Sequence, residues 1–386
     1  MRDQTDSFGG LVVLKGKLSF LKIISALIFM IAALLLFSGC QRDKTADIPP
    51  ADGYDSDESI APTDGDDPEA NTSPVVGNNM KQEYTFVEYE GYRQNIASFL
   101  ACGTNGRLDR IYENEKVENI PVPASGKDLT QVLVRPEVTL VSGLSGIILY
   151  SHDGEEFQAG KGVKNADVLG LAYFNGKYFA CTQNGAILES DDGSTWKNNV
   201  KLSNEAIISI AGGKEYIMAI TAATDIFISE DGSTWRSENF NVAYDGYYEK
   251  YVFSRIIGMN YALTILGYSE SDSGNPIIMF SDSGGEVWMF RALSLINDQY
   301  PEEFFPLTVY SMGVFGDELM AACSDGRVLA MPDCSKCNQI TKVADVELRG
   351  IAFSSHKVLV VGDDYEFVFR DAADLQYIKY EDEYLY

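Results

Sequence analysis

Cys334 and Cys337 stand two residues apart in PDCSKC, a spacing that suits a short disulfide, half of a zinc site or thiol exchange. Zinc needs two further ligands, and the chain has no second C-x-x-C pair. Thiol exchange of the thioredoxin kind needs a helix N-terminus behind the sulfurs, which a hairpin turn lacks. In an exported chain the simplest reading is a local Cys334–Cys337 disulfide. Cys102, Cys181 and Cys323 each follow an alanine in similar surroundings (FLACGTNG, YFACTQNG, LMAACSDG). That repetition marks small buried apolar side chains, not metal ligands. The two histidines, His152 in SHDG and His356 in SSHK, fall in turn-like stretches, which argues against a triad or a His-based metal centre. There is no P-loop or dinucleotide fingerprint, so no metal and no cofactor is expected.

Carboxylates recur in fixed surroundings. ILESDDGSTWKN (187–198) and IFISEDGSTWRS (226–237) write S-x-D-G-S-T-W twice, 39 residues apart. In such a turn Asp192 and Asp231 can accept backbone N–H bonds, beside the hydroxyls of Ser190 and Ser229. Gly193 and Gly232 can take φ > 0 at little cost. Trp196 and Trp235 can fold back as apolar plugs. The eight residues read as a turn staple and not as an acid–base pair.

The elements around these turns repeat as well. GLAYFNGKYFACTQNGAILESDDGSTWKN (170–198) breaks at NG and DG into four strand-length pieces rich in aromatic and branched residues, a four-stranded antiparallel meander. Related copies lie at 99–114, 138–157, 216–235, 261–288, 319–337 and 357–371, and the turn before each third strand falls near 106, 146, 185, 225, 276, 326 and 364. One meander cannot bury both faces, so the copies must pack on one another radially. The expectation is an all-β, seven-bladed β-propeller of four-stranded antiparallel blades over 81–386, with six blades plus a hairpin as the alternative.

SDDGSTW, SEDGSTW, SHDGEEF and SDSGGEVW resemble Asp-box (BNR) repeats, and the whole unit resembles the WD40/YVTN/BNR-like repeats of exported bacterial proteins. The resemblance implies the propeller fold. It also brings in two functional analogies, the sialidases and the photosystem II assembly propellers. A sialidase would need three arginines converging on a carboxylate; Arg135, Arg255 and Arg349 lie near the starts of repeats, but the F/Y-R-I-P motif is absent. The assembly propellers display basic patches that this acidic chain does not obviously have.

Of the 386 residues, 57 are Asp or Glu and 30 are Lys or Arg, a net charge of −27. That argues against nucleic acid, since a phosphate-binding face needs clustered Lys and Arg. At the N-terminus Lys15, Lys17 and Lys22 precede fifteen uncharged residues, 23–37, ending in LLLFSGC. Ser38 and Gly39 before Cys40 resemble the lipobox of bacterial lipoproteins, which implies cleavage before Cys40 and a diacylglycerol on its thiol. Residues 1–39 are thus read as a lipoprotein signal peptide, with a single membrane anchor as the alternative; either exports the remainder. Residues 40–80 hold ten carboxylates with Pro, Ser and Asn but few apolar residues, a flexible tether. They lack the D-x-D-x-D-G spacing of a calcium loop.

Three long insertions, 241–253, 267–275 and 295–307, fall in neighbouring blades on the face opposite the S-x-D-G turns. They bring Tyr244, Tyr247, Tyr248, Tyr251, Tyr268, Tyr300 and Phe304 together with Glu302 and Glu303. Aromatics flanked by carboxylates suit a neutral sugar or a basic protein surface, or else they pack the loops down. The expected function is that of a lipid-anchored, extracytoplasmic binding or scaffold module for a protein or glycan, without catalysis. The alternatives are a sialidase-like glycosidase and an assembly factor for a membrane complex.

Overall fold

The computed structural model describes residues 81–375 except 125, 164–165, 244–249, 259–262, 270–275, 282–287, 293–295, 298–299, 305–306, 316–317 and 332–338. Cys40, the tether, the Cys334–Cys337 pair and Tyr244, Tyr247 and Tyr248 lie outside the described residues.

Each repeat folds as an antiparallel meander because its alternating apolar positions can face both neighbouring sheets. Seven such sheets form a β-propeller; six show four strands, and the seventh shows three among the described residues. The innermost strands, in order, are Tyr84–Arg93, Leu129–Val134, Val168–Phe174, Ile207–Gly212, Tyr251–Gly258, Val309–Phe315 and Leu348–Phe353. They define blades 1 to 7 and contact one another in a closed ring. A short hairpin, Ile296–Asn297 with Tyr300–Phe304, is added between blades 5 and 6. The ring closes where blade 7 meets blade 1. There Glu83 bridges Asp363, Asp364 N–H donates to Gln82 O (2.7 Å), and Tyr84 and Val87 pack on Leu359 and Val361.

The core is divided into seven apolar clusters, one between each pair of neighbouring blades. Cys102, Cys181 and Cys323 are fully buried in three of them. Burial pushes the Cys102 thiol up to about 12, so it is a packing atom and no nucleophile.

The S-x-D-G turns join third to fourth strands with one geometry. Asp192 Oδ1 accepts from Ser194 N (2.8 Å) and Thr195 N (2.9 Å), and Asp231 Oδ1 from Ser233 N and Thr234 N (both 2.7 Å). Asp153 in SHDGEE repeats the pattern with Glu155 N and Glu156 N. Ser190 and Ser229 accept from Gly193 N and Gly232 N (2.9 and 2.8 Å). These backbone N–H bonds hold the three carboxyls at about 2, so the turns stay intact far below neutral pH. Trp196 is buried between blades 2 and 3, its indole donating to Gly193 O (2.9 Å); Trp235 packs between blades 3 and 4, and Phe157 between 1 and 2. Each turn glycine also touches the preceding blade. A Cβ on Gly232 (φ 77° at Gly193, 75° here) would stand 2.5 Å from the Phe179 ring.

The turns therefore staple blades as well as hairpins. Gly232→Ala should cost about 1–3 kcal/mol through overpacking and a left-handed side chain, and Trp196→Ala about 3–5 kcal/mol through the cavity it leaves. Denaturant unfolding of each variant measures both; a change below about 0.5 kcal/mol in either would contradict the stapling role.

Candidate functional site

The ring of inner strands carries a feature that no motif announced. In all seven blades the pairing between first and second strands slips by one residue near the start, a β-bulge. The extra residues are Thr85, Thr130, Leu169, Ile208, Ser254, Tyr310 and Arg349. Where the extra residue is threonine, its hydroxyl bonds the next blade: Thr85 Oγ1 donates to Leu129 O and Thr130 Oγ1 to Val168 O, both at 2.7 Å. The following residue reaches across too. Gln131 accepts from Leu171 N (2.9 Å) and donates to Leu171 O (3.2 Å), while Ser209 Oγ accepts from Ile256 N (3.1 Å). Side chains thus replace the ladder bonds that splayed inner strands cannot make to each other.

Against this background a few side chains stand out as charged. Arg255, next to the bulge of blade 5, lies with its guanidinium 4.6 Å from the Phe86 ring centroid of blade 1. Blades 5 and 1 are not neighbours, so this cation–π contact spans the central channel. Its Nη1 donates to Tyr310 O of blade 6 (3.4 Å). Among the described residues no carboxylate lies within ion-pair distance of it. Burial lowers it to about 10 and raises Glu88, half-buried on blade 1, to about 8. A backbone bond from Val134 and the charges of Arg135 and Arg255 only partly offset that rise.

The other two arginines have different surroundings. Arg349 stacks 4.3 Å over Tyr310 and pairs with Asp363 (3.0 Å) and Glu83 (3.6 Å) near the start of its strand. Arg135 follows the last residue of its inner strand, at the other end of the ring, and stacks 4.2 Å over Tyr173. The inner strands run in one direction, so the three guanidiniums do not converge as a sialidase triplet would. His152 and His356 both sit at turns, His152 Nδ1 at 3.0 Å from Glu137 O.

The expected aromatic face fares unevenly. Tyr251 is a correction: it begins the inner strand of blade 5 and is buried against Phe240 (6.2 Å), because the insertion before blade 5 ends ahead of it. Tyr268 is half-buried on the second strand of blade 5. Tyr300, Glu302, Glu303 and Phe304 form one strand of the added hairpin. Phe86, Glu88 and Tyr310 were not singled out by sequence. The available signal was a carboxylate at 88 and another at 90 within an aromatic-rich alternating run, YTFVEYEGYR.

No protein-family model matches the chain, and no curated protein matches it. Among solved structures it is similar to YCF48 from Cyanidioschyzon merolae: 14% identity, 76% of this chain and 96% of that one, TM-score 0.55. YCF48 bound to D1 peptide is similar at 16% identity over 75% and 91%, TM-score 0.53. The WD40 β-propeller domain of Doa1 is similar at 11% over 77% and 95%, TM-score 0.56. At these identities the likeness shows the fold.

A carboxyl raised by the fold contributes stability that is complete at acid pH, below its unfolded range, and is lost as pH climbs towards about 8. Between pH 6 and 9 the melting temperature should fall by roughly 2–4 °C, the shift expected for about 1 kcal/mol in a domain of this size. Glu88→Gln should flatten that slope. An unchanged slope in the variant would show that Glu88 is not the titrating group.

Proposed function

We propose that the chain is an exported lipoprotein, anchored through Cys40 and tethered by residues 40–80, whose propeller holds a protein segment without chemical turnover. The observation that carries this reading is Arg255. Its charge lies at the wall of the channel, stacked on Phe86, with no carboxylate of the described residues within ion-pair distance of it. A guanidinium so placed is a ready partner for a carboxylate. The overall charge of −27 repels a polyacidic stretch, so the reading favours a segment with one isolated carboxylate.

Two further points support a protein partner. The insertions of blades 4 to 6 enter and leave the blade that carries Arg255, and they bring tyrosines of the kind enriched at binding surfaces. A solved propeller of similar fold, YCF48, is seen bound to a peptide. Holding a subunit during assembly of a membrane complex is one form such binding would take. Turnover of the sialidase kind is disfavoured because Arg135, stacked on Tyr173, lies at the other end of the inner strands from Arg255 and Arg349, which both meet Tyr310.

Arg255→Ala should weaken partner co-purification from solubilised membranes at least tenfold, with Arg255→Lys intermediate and Arg135→Ala unchanged, all three melting like the native chain. Equal recovery with Arg255→Ala would overturn the site. Cys40→Ser should shift the protein from the membrane to the soluble fraction and abolish labelling by a radioactive fatty acid; retained labelling would place the lipid elsewhere.

A further inference from the structure

A cavity of about 430 Å³ opens between blades 1 and 2 on the face that carries the S-x-D-G turns. Its volume falls in the range that holds small ligands. It lies at the far end of the inner strands from the Arg255 bulge and plays no part in the function proposed above.

The floor is fixed by a buried ion network. Arg110, 1% exposed, donates Nε to Glu90 Oε2 (2.7 Å), and its Nη2 donates to Glu90 Oε1 (2.9 Å) and to Gly154 O (2.6 Å). Arg93 donates to the same carboxylate (2.8 Å) and to Asp153 O (2.7 Å), and both arginines reach Glu155. The SHDGEE turn of blade 2 is thereby locked onto blade 1, and the Glu90 carboxylate, which also accepts from Ser98 Oγ (3.1 Å), is spent within the network.

The walls, by contrast, have capacity to spare. Arg135 stacks on the Tyr173 ring face and makes no side-chain hydrogen bond or ion pair among the described residues, which leaves its N–H edges unspent. His152 engages Nδ1 with Glu137 O, leaving Nε2. Thr139 lines the cavity with its hydroxyl unpaired among the described residues. Tyr92 forms the outer wall. It is 62% exposed yet held by an edge contact to Tyr89 (6.4 Å) and by its hydroxyl against Ser355 (3.3 Å).

These properties select a ligand class. An apolar molecule would strip water from charged groups with no replacement. A small anion would meet the Glu90 and Asp153 carboxylates, and a cation would meet Arg93 and Arg135. A polyhydroxyl compound suffers neither conflict, since each hydroxyl both donates and accepts. Its C–H face can also stack on a fixed tyrosine ring. We infer that this cavity is a binding site for a neutral saccharide, with Tyr92 as the stacking platform and Arg135, His152 and Thr139 as its hydrogen-bonding groups.

Calorimetric titration of the full-length chain, in a detergent without a sugar headgroup, tests this with cellotetraose and N-acetylchitotetraose, and with tetragalacturonate as the charged control. At least one neutral tetrasaccharide should bind, tenfold or more weakly to Tyr92→Ala and Arg135→Ala, and undiminished to Arg255→Ala. Tyr92 is exposed, so its variant should melt like the native chain and report on binding alone. The inference fails if neither neutral sugar binds, if tetragalacturonate binds more tightly than both, or if the Tyr92 and Arg135 variants bind like the native chain.

Discussion

A four-stranded blade is apolar on both faces, and nothing within the blade can cover either one. Everything else in this protein follows from the need to cover them with neighbouring blades. The seven apolar clusters lie between blades, each built from two repeats, so no blade has a core of its own. At the inner edge the strands diverge too much for ladder bonds. The sevenfold bulge, with Thr85, Thr130, Gln131 and Ser209 reaching to the next backbone, supplies the polar contacts there. At the outer edge the S-x-D-G turns supply the apolar ones, through Trp196, Trp235 and Phe157.

The same constraint decides where chemistry can occur. A residue in a cluster is committed to packing, as the three buried cysteines and Tyr251 show. A residue in a staple is committed to the turn, as Asp192 and Asp231 show with their carboxylates spent on backbone N–H groups. What remains are the two openings of the ring. One holds Arg255 against Phe86 with Glu88 nearby, an unmatched charge in a low-dielectric wall. The other holds the cavity beside Tyr92, where Arg93, Arg110 and Glu90 match one another and Arg135, His152 and Thr139 keep spare hydrogen-bonding capacity. The two ends therefore suit different ligands.

The repeat was legible because its signals are local. NG and DG turns, and a serine and an aspartate bonding N–H groups within three residues, fix blade count and turn geometry without any long-range information. The bulges were not legible. The residues that occupy them, Thr, Leu, Ile, Ser, Tyr and Arg, share no side-chain chemistry, because the feature belongs to the backbone of a splayed ring. Nor could sequence pair Arg255 with Phe86, a contact made only when non-adjacent blades face each other across a closed ring. Tyr251 shows the reverse error: a tyrosine in a polar insertion reads as surface until the strand boundary moves past it.

The most direct measurement of the central claim, that the Arg255 end of the channel receives a protein segment, is site-specific photo-cross-linking in living cells. Ser254 is exposed beside Arg255, and Asn175 is exposed in a turn on the opposite face. With a photoreactive residue at 254 the account expects one discrete protein adduct, absent when the residue is at 175. No adduct from 254, or the same adduct from both positions, would contradict it.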